Sequence, residues 1–510
     1  MSSATVHPAE LAVVAFDQAH FAPPAAPDDD EDKLSTRTHE EGKPYEGHQV
    51  RQGTITSARF QILSTMIGGG FLSLPLAFQQ SGSFLLGPLM LITVAFISDF
   101  CFRLLVASAN HLSPPHKDRP GKHSFESIAS AAFGPRAYVL SMALVVFTCF
   151  SMAVGYCVLL RDMVEPITDL IPLQYIPSNW LHKNLILFTI MVFVTPLNTL
   201  RSFTGLKSYS GAASMMSIFI LGSCIVFRSI QCNIDAPDPF YKHLTFFPED
   251  PRNLLDSAPI YISSFICHFN ILPVHNELQQ PTPKRVSWWL RSTTWFAALF
   301  YLIIGFAGSA YGNCTETGRV QGNILLDFDK DDPLLLVGRM CLALSITMTF
   351  PTVVIPARDI VLQSILLPCL ESAAASVEDV TMTEALEETL EEGGCENASS
   401  ESTASTEQSS TAATDPATAS FLLRLLTAIG IFWTAGGVAS GVESIDIVWE
   451  LLGSSLSVLL CYLIPCGTYL AITKDREGHV ASKWLAWLLI LVFTPFMFLS
   501  TTNAVDNAFF

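Results

Sequence analysis

Long apolar stretches separated by short polar loops dominate the chain from residue 57 onward. A helix needs about 20 apolar residues to cross the hydrocarbon core of a bilayer, and each stretch is close to that length. The pattern therefore predicts eleven transmembrane helices, at residues 57–80, 84–108, 137–160, 184–200, 207–229, 254–278, 287–310, 333–364, 421–441, 446–472 and 483–501. The fourth of these apolar runs is short and ends at Pro196.

Two polar segments lie outside the apolar pattern. Residues 1–55 are rich in Pro, His and charge, and residues 371–420 carry twelve acidic residues and no Lys or Arg. Neither composition supports a packed core. We predict a disordered cytoplasmic tail at 1–55, helices 1–8 within 56–370, a disordered acidic cytoplasmic loop at 371–420, helices 9–11 within 421–501 and a short non-cytoplasmic tail at 502–510. The acidic loop is either an inert linker or a site of regulation by phosphorylation.

The orientation follows from the basic residues of the loops. With a cytoplasmic N-terminus, the cytoplasmic loops hold twelve Lys and Arg residues and the opposite loops hold seven. Basic residues favour the cytoplasmic side, so the N-terminus is predicted to be cytoplasmic.

Composition supports the membrane interpretation and narrows the function. Half of the 510 residues are hydrophobic, 15% are charged and the mean hydropathy is +0.40. The net charge of −18 collects in the polar segments, so it indicates no nucleic-acid partner. The sequence shows no metal-binding cysteine pattern, carboxylate pair at membrane depth or nucleophile constellation, which argues against an enzyme and against a bound cofactor.

The first apolar stretch contains three consecutive glycines, Gly68, Gly69 and Gly70, followed by Pro75. Each glycine disfavours the helix by about 1 kcal/mol, and proline removes a backbone donor. The helix is therefore predicted to break at mid-membrane, where free backbone groups are tolerated next to a cavity or ligand.

The sixth stretch places His268, Asn270 and Pro273 within six residues at membrane depth. Interrupted helices at equivalent positions of two inverted halves are typical of secondary transporters. The alternative is that both features are packing kinks, with glycines for close helix contact and His268 as a core residue. The eighth stretch adds the hydroxyls of Ser345 and Thr349, which could ligate Na⁺ or only bond to their own helix.

Cys232 and Cys314 both lie in polar loops on the predicted non-cytoplasmic face. They are candidates for a disulfide, and Asn313 in the sequon Asn313-Cys314-Thr315 is a candidate for glycosylation.

Three motifs carry a resemblance to a known family. GGGFLSLPLAFQQSG at 68–82, ICHFNILPVHNEL at 266–278 and TFPTVVIPARD at 349–359 resemble signatures of the amino acid/auxin permease family, which includes sodium-coupled neutral amino acid transporters and vacuolar amino acid transporters. The resemblance implies an all-α polytopic membrane protein with a LeuT-like fold. Such a fold has a five-plus-five inverted repeat, broken helices 1 and 6, and here one extra helix.

The resemblance also assigns candidate residues. It implies an amino acid substrate held by Ile67, Gly68, Gly69, Gly70, Ser263, Phe265, His268 and Asn270. It implies a coupling-ion site made by Ser64, Thr65, Ser345 and Thr349. Sodium-coupled members carry Asn where this chain has Ser64, so Na⁺ and H⁺ both stay open as coupling ions.

Two functions are compatible with these residues. The first is secondary active transport of amino acids, with neutral ones favoured, by alternating access in the plasma membrane or a vacuolar or lysosomal-type membrane. The alternative is a membrane-embedded amino acid sensor that binds its ligand and signals through the tail or the acidic loop.

Overall fold

The computed structural model describes residues 53–112, 123–169, 179–198, 207–236, 244–366, 421–475 and 480–509. These residues are almost entirely helical, and their one β-type contact is a parallel bridge between Gly53 and Leu278. The predicted tail at 1–55 lies outside the described residues except for its last three positions, and the predicted acidic loop at 371–420 lies wholly outside them.

Fifteen helices are used below. They are α1 (Ile55–Met66), α2 (Leu74–Ser81), α3 (Leu86–Leu112), α4 (Phe125–Phe133), α5 (Pro135–Asp169), α6 (Asn179–Asn198), α7 (Lys207–Asp235), α8 (Asn253–Ser264), α9 (His268–Glu277), α10 (Pro283–Tyr311), α11 (Pro333–Val361), α12 (Phe421–Ala439), α13 (Ile445–Leu451), α14 (Ile464–Ile472) and α15 (Val480–Phe509). Short 3₁₀ or π segments join several of them, including Gly70–Ser73 before α2 and Leu452–Leu456 after α13.

The predicted all-helical architecture with many membrane spans is confirmed. Within the described ranges, nine helices are long and apolar enough to cross a membrane, and the bent pair α1 and Gly70–Ser81 makes a tenth span. The short fourth stretch forms α6, whose apolar part, Leu187–Asn198, is too short to pass the same test. The last helix continues to Phe509, beyond the end expected at residue 501.

The broken helices lie at the centre of the bundle. In the span that contains α8 and α9, 94% of the residues of an 18-residue apolar stretch are buried, whereas in α15 the share is only 17%. Helix α11 packs against α7 and α5, and α10 packs against α1, α2 and α7. The interrupted segments are thus surrounded by protein, where their free backbone groups can be satisfied without water.

Candidate functional site

The first break follows directly from the three glycines. Helix α1 ends at Met66, and the N–H of Ile67 still donates to the Leu63 carbonyl at 2.8 Å. After Gly68 and Gly69 the chain turns into a 3₁₀ segment that leads to α2. The two halves meet at an angle of 48°, so the break predicted from the sequence is present at the predicted position.

Side-chain packing explains why the first two of these positions are glycines. A Cβ at Gly68 would overlap the hydroxyl of Tyr156 on α5, and one at Gly69 would lie 2.8 Å from the side chain of Leu159. A Cβ at Gly70 would meet its nearest atom, the Ser264 hydroxyl, only at 3.5 Å. Close approach of α5 therefore requires glycine at 68 and disfavours a side chain at 69, but it does not require glycine at 70.

The second break lies earlier than the sequence suggested. Helix α8 ends at Ser264, residues Phe265, Ile266 and Cys267 are non-helical, and α9 begins at His268. The sequence indicated the segment from His268 to Pro273; the break directly precedes it, and Pro273 itself lies inside α9 and is exposed. The chain leaves the helix at residues that are neither glycine nor proline.

One side chain joins the two breaks. The hydroxyl of Tyr301, on α10, lies 2.8 Å from the carbonyl oxygen of Met66 and 2.7 Å from that of Ser264. These are the last residues of α1 and α8, where helix carbonyls lose their intrahelical donors. Tyr301 is wholly buried, and its ring packs edge-on against Phe265 at 5.2 Å.

The predicted substrate residues on the second break are also buried. Ser263 donates its hydroxyl proton to its own helix, at the Ile260 carbonyl. The ring of His268 lies 4.3 Å from that of Phe102, and within the described part of the chain neither ring nitrogen has a hydrogen-bond partner. Asn270 reaches across to α1, with its amide nitrogen 3.5 Å from the Thr65 hydroxyl. The structure therefore brings these residues together with Ile67 and the glycines around the two breaks.

The four predicted ion ligands divide into two groups. Ser64 and Thr65 both donate to the Gln61 carbonyl at 3.0 Å. On α11, Thr349 donates to the Ser345 carbonyl at 2.8 Å, and Ser345 pairs with the hydroxyl of Ser214 on α7 at 2.5 Å. Each hydroxyl keeps lone pairs that could ligate an ion.

The usual ligand sets of transition metals combine several His, Cys, Asp or Glu side chains. Across the described segments, no group of three or more His, Cys, Asp or Glu residues is placed to hold a metal ion.

Sequence reasoning missed three aromatic residues of the site: Tyr156, Tyr301 and Trp449. The Tyr156 hydroxyl faces Gly68, and the Trp449 ring lies against the position of a Cβ at Gly69. Both are almost fully buried, and neither the Tyr156 hydroxyl nor the Trp449 ring N–H has a partner among the described residues. A single aromatic residue in an apolar helix carries no signal of this kind in the sequence.

The face predicted to be non-cytoplasmic carries the cysteine pair. Cys232 and Cys314 form a disulfide with Cα atoms 6.3 Å apart, which joins the end of α7 to the turn after α10. The neighbouring side chains of Asn233 and Asn313 are hydrogen-bonded at 3.2 Å. Glycosylation at Asn313 stays a prediction.

A cavity of about 640 Å³ opens on the same face. Its lining includes Gln79 at the end of α2, Asp256 at the start of α8, and Arg319 in the loop 315–332. Gln79 also fixes α2 there, because its side chain donates to the Ser309 carbonyl at 3.1 Å and accepts from the Val320 N–H at 2.9 Å.

The pKa values of two aspartates in the loop 315–332 are shifted in opposite directions. Burial raises the pKa of Asp327, although hydrogen bonds from Gln321 act against the shift. Partial burial alone would raise the pKa of Asp332, but hydrogen bonds from Arg228 and the Leu334 N–H outweigh it and hold the pKa below its ordinary value. Asp332 therefore stays ionised to lower pH than Asp327, and it holds the start of α11 to Arg228 on α7 with an ion pair of 2.6 Å.

Comparison with known sequences shows matches over most of the chain. The sequence model of the family described as "Transmembrane amino acid transporter protein" matches residues 51–506. A rat protein named "Putative sodium-coupled neutral amino acid transporter 11" is 25% identical over 456 residues, which cover 89% of this chain and 85% of the relative. "Vacuolar amino acid transporter 5" of Schizosaccharomyces pombe is 25% identical over 323 residues, covering 63% of this chain and 72% of the relative. The relatives are named as transporters, which agrees with the interpretation that the chain is not an enzyme.

Comparison with solved structures shows the fold. MhsT in complex with L-phenylalanine superposes with a TM-score of 0.53 and 11% identity, covering 88% of this chain and 98% of MhsT. Mhp1, a nucleobase-cation-symport-1 family transporter, gives 0.51 and 12%, covering 90% and 91%. The LeuT-like fold class predicted from the resemblance is thus confirmed.

Proposed function

We propose, because this chain belongs to the family of transmembrane amino acid transporter proteins, that it is a secondary active transporter of neutral amino acids. It moves them by alternating access, driven by a Na⁺ or H⁺ gradient, across the plasma membrane or a vacuolar or lysosomal-type membrane. The rat relative is named for neutral amino acids and sodium coupling, and MhsT for bound L-phenylalanine.

The observation that carries the proposal is the meeting of the two breaks. The carbonyls of Met66 and Ser264 converge at the C-terminal ends of α1 and α8, which carry partial negative charge. An ammonium group suits such ends. The backbone N–H groups of Gly68 to Gly70 lead into the start of the following half-helix, where a carboxylate is favoured. Together they match the two charged groups of an amino acid.

The surroundings of the breaks support a neutral substrate side chain. Phe71, Phe265, Phe350 and Trp449 are buried there, and aromatic contacts link Tyr156 to both Phe350 and Trp449. A charged substrate side chain in such a place would need a charged partner. An uncharged one needs only space and apolar contact.

The two halves of the first span, α1 and α2, are held by partly different contacts, which supports alternating access. Gly53, just before α1, makes two backbone hydrogen bonds of 2.9 Å, one to Glu277 at the end of α9 and one from Gln279 just beyond it. The other half, α2, is held by the loop 315–332 through Gln79, in addition to α10, which packs against both halves. The two ends of this broken span are thus fastened to different partners, with the break at Gly68 and Gly69 between them as the hinge.

Uptake into proteoliposomes tests the function. The purified protein should accumulate a labelled neutral amino acid above its equilibrium level under an inward Na⁺ or H⁺ gradient, and it should catalyse counterflow without a gradient. Measuring each gradient alone identifies the ion. Saturable binding with no counterflow under any gradient would instead favour the sensor.

A further inference from the structure

Tyr301 places one hydroxyl proton between two carbonyl acceptors. Its oxygen lies within 2.8 Å of both the Met66 and the Ser264 carbonyl oxygens. A phenol has a single O–H, so it makes one full hydrogen bond at a time. At any moment one of the two carbonyls is therefore under-satisfied.

The backbone does not relieve this shortage. At the first break the Ile67 N–H donates to Leu63, and at the second the N–H groups of Phe265 and Ile266 donate to Ile262 and Ser263. Among the described residues, Tyr301 is the donor recorded for the Met66 and Ser264 carbonyls. An under-satisfied buried acceptor is unfavourable, so this place favours an additional donor.

We propose that Tyr301 is a place-holder for the substrate's ammonium group and positions the two breaks to receive it. This deepens the proposed function and rests on it. Without substrate, the hydroxyl holds α1 and α8 together by sharing its proton. The α-ammonium, with three N–H donors, then takes one carbonyl and leaves the hydroxyl to the other. Occupation of the site is thereby transmitted to both broken helices at once.

The test compares an amino acid with its des-amino analogue, the carboxylic acid of the same side chain. In Tyr301→Phe both carbonyls lose their resident donor, and the ammonium alone can supply one. The preference for the amino acid over the analogue, measured as the ratio of inhibition constants for uptake, should rise about tenfold, the effect of one hydrogen bond. The increase in melting temperature on adding the amino acid should also grow.

Tyr261→Phe is the matched control. The Tyr261 hydroxyl also links the two broken spans, but it joins α8 to α2 through Ser81 at 2.8 Å, away from the breaks. The Tyr261→Phe variant therefore also loses one buried phenol hydroxyl, but its preference for the amino acid over the des-amino analogue should equal that of the wild type. If Tyr301→Phe fails to fold, replacing Tyr301 by 3-fluorotyrosine supplies a stronger O–H donor of nearly the same size, and the ratio should fall below that of the wild type.

The outcomes separate this inference from the proposed function. If the wild type transports amino acids but neither replacement of Tyr301 changes the preference ratio, Tyr301 only braces the helices and the inference is overturned. If the wild type shows no uptake and no thermal shift with amino acids, the proposed function fails first.

Discussion

The two breaks differ in how the chain makes them. The first lies at glycines and bends its helix by 48°, whereas the second lies at Phe265, Ile266 and Cys267. Only the first exceeds a 40° bend within the described residues, and α8 and α9 continue as one span from Asn253 to Glu277. One break is thus a sharp bend and the other an opening in a nearly continuous helix.

The difference separates a local cause from a tertiary one. Glycine lowers the free-energy cost of leaving the helix at residues 68–70, so the local sequence is sufficient to explain the first break. The second has no such residue. Tyr301, which reaches the Ser264 carbonyl from α10, supplies from outside the hydrogen bond that the broken helix lacks.

The largest effect is expected from Gly68→Ala. The added methyl group would overlap the Tyr156 hydroxyl, and overpacking of this kind costs about 1–3 kcal/mol. We expect the initial rate of uptake to fall at least tenfold, because α5 and the break must move apart.

Gly70→Ala is its matched control, since a Cβ there meets nothing closer than 3.5 Å. Its rate should fall by much less. Adding Tyr156→Phe to Gly68→Ala should restore part of the rate, because it removes the overlapping atom. Equal losses in both alanine variants would mean that backbone freedom, and not the contact with Tyr156, makes these glycines necessary.

The same difference explains what the sequence could predict. The family assignment rested on three motifs, and the match over residues 51–506 confirms it. The first break was placed correctly because glycine acts locally. The second was indicated by the polar segment from His268 to Pro273, and the non-helical residues directly precede that segment. A proline within a short helix does not by itself show where the chain leaves the helix.

Contacts between distant helices were beyond sequence reasoning. Tyr156, Tyr301 and Trp449 lie in three different spans, and only packing brings them to the breaks. By contrast, Cys232 and Cys314 were paired from loop position alone, and the structure joins them. Topology can suggest which loops meet, but it cannot show which side chains of two helices touch.

A smaller effect is expected from Thr349→Ala, which tests whether the ion site lies beside the first break. Loss of one oxygen ligand should raise the Na⁺ concentration for half-maximal uptake several-fold, by about 1 kcal/mol of binding free energy. Thr347→Ala is the matched control, because Thr347 makes the same kind of bond to its own helix, at the Ala343 carbonyl, but is not one of the predicted ion ligands. If uptake ignores Na⁺ in the wild type and follows pH, His268 at the second break becomes the residue to replace.

The smallest effect is expected from Pro273→Ala. Pro273 is exposed and lies inside α9, more than one turn beyond the non-helical residues of the second break. Alanine fits a helix better than proline does, so the substitution should leave the folded protein at least as stable and the uptake rate within about twofold of the wild type. Thermal unfolding and initial rates of the two proteins, measured side by side, check both expectations. A loss as large as that of Gly68→Ala would mean that unfolding of α9 at Pro273 is part of transport, and the second break would then act as a hinge like the first.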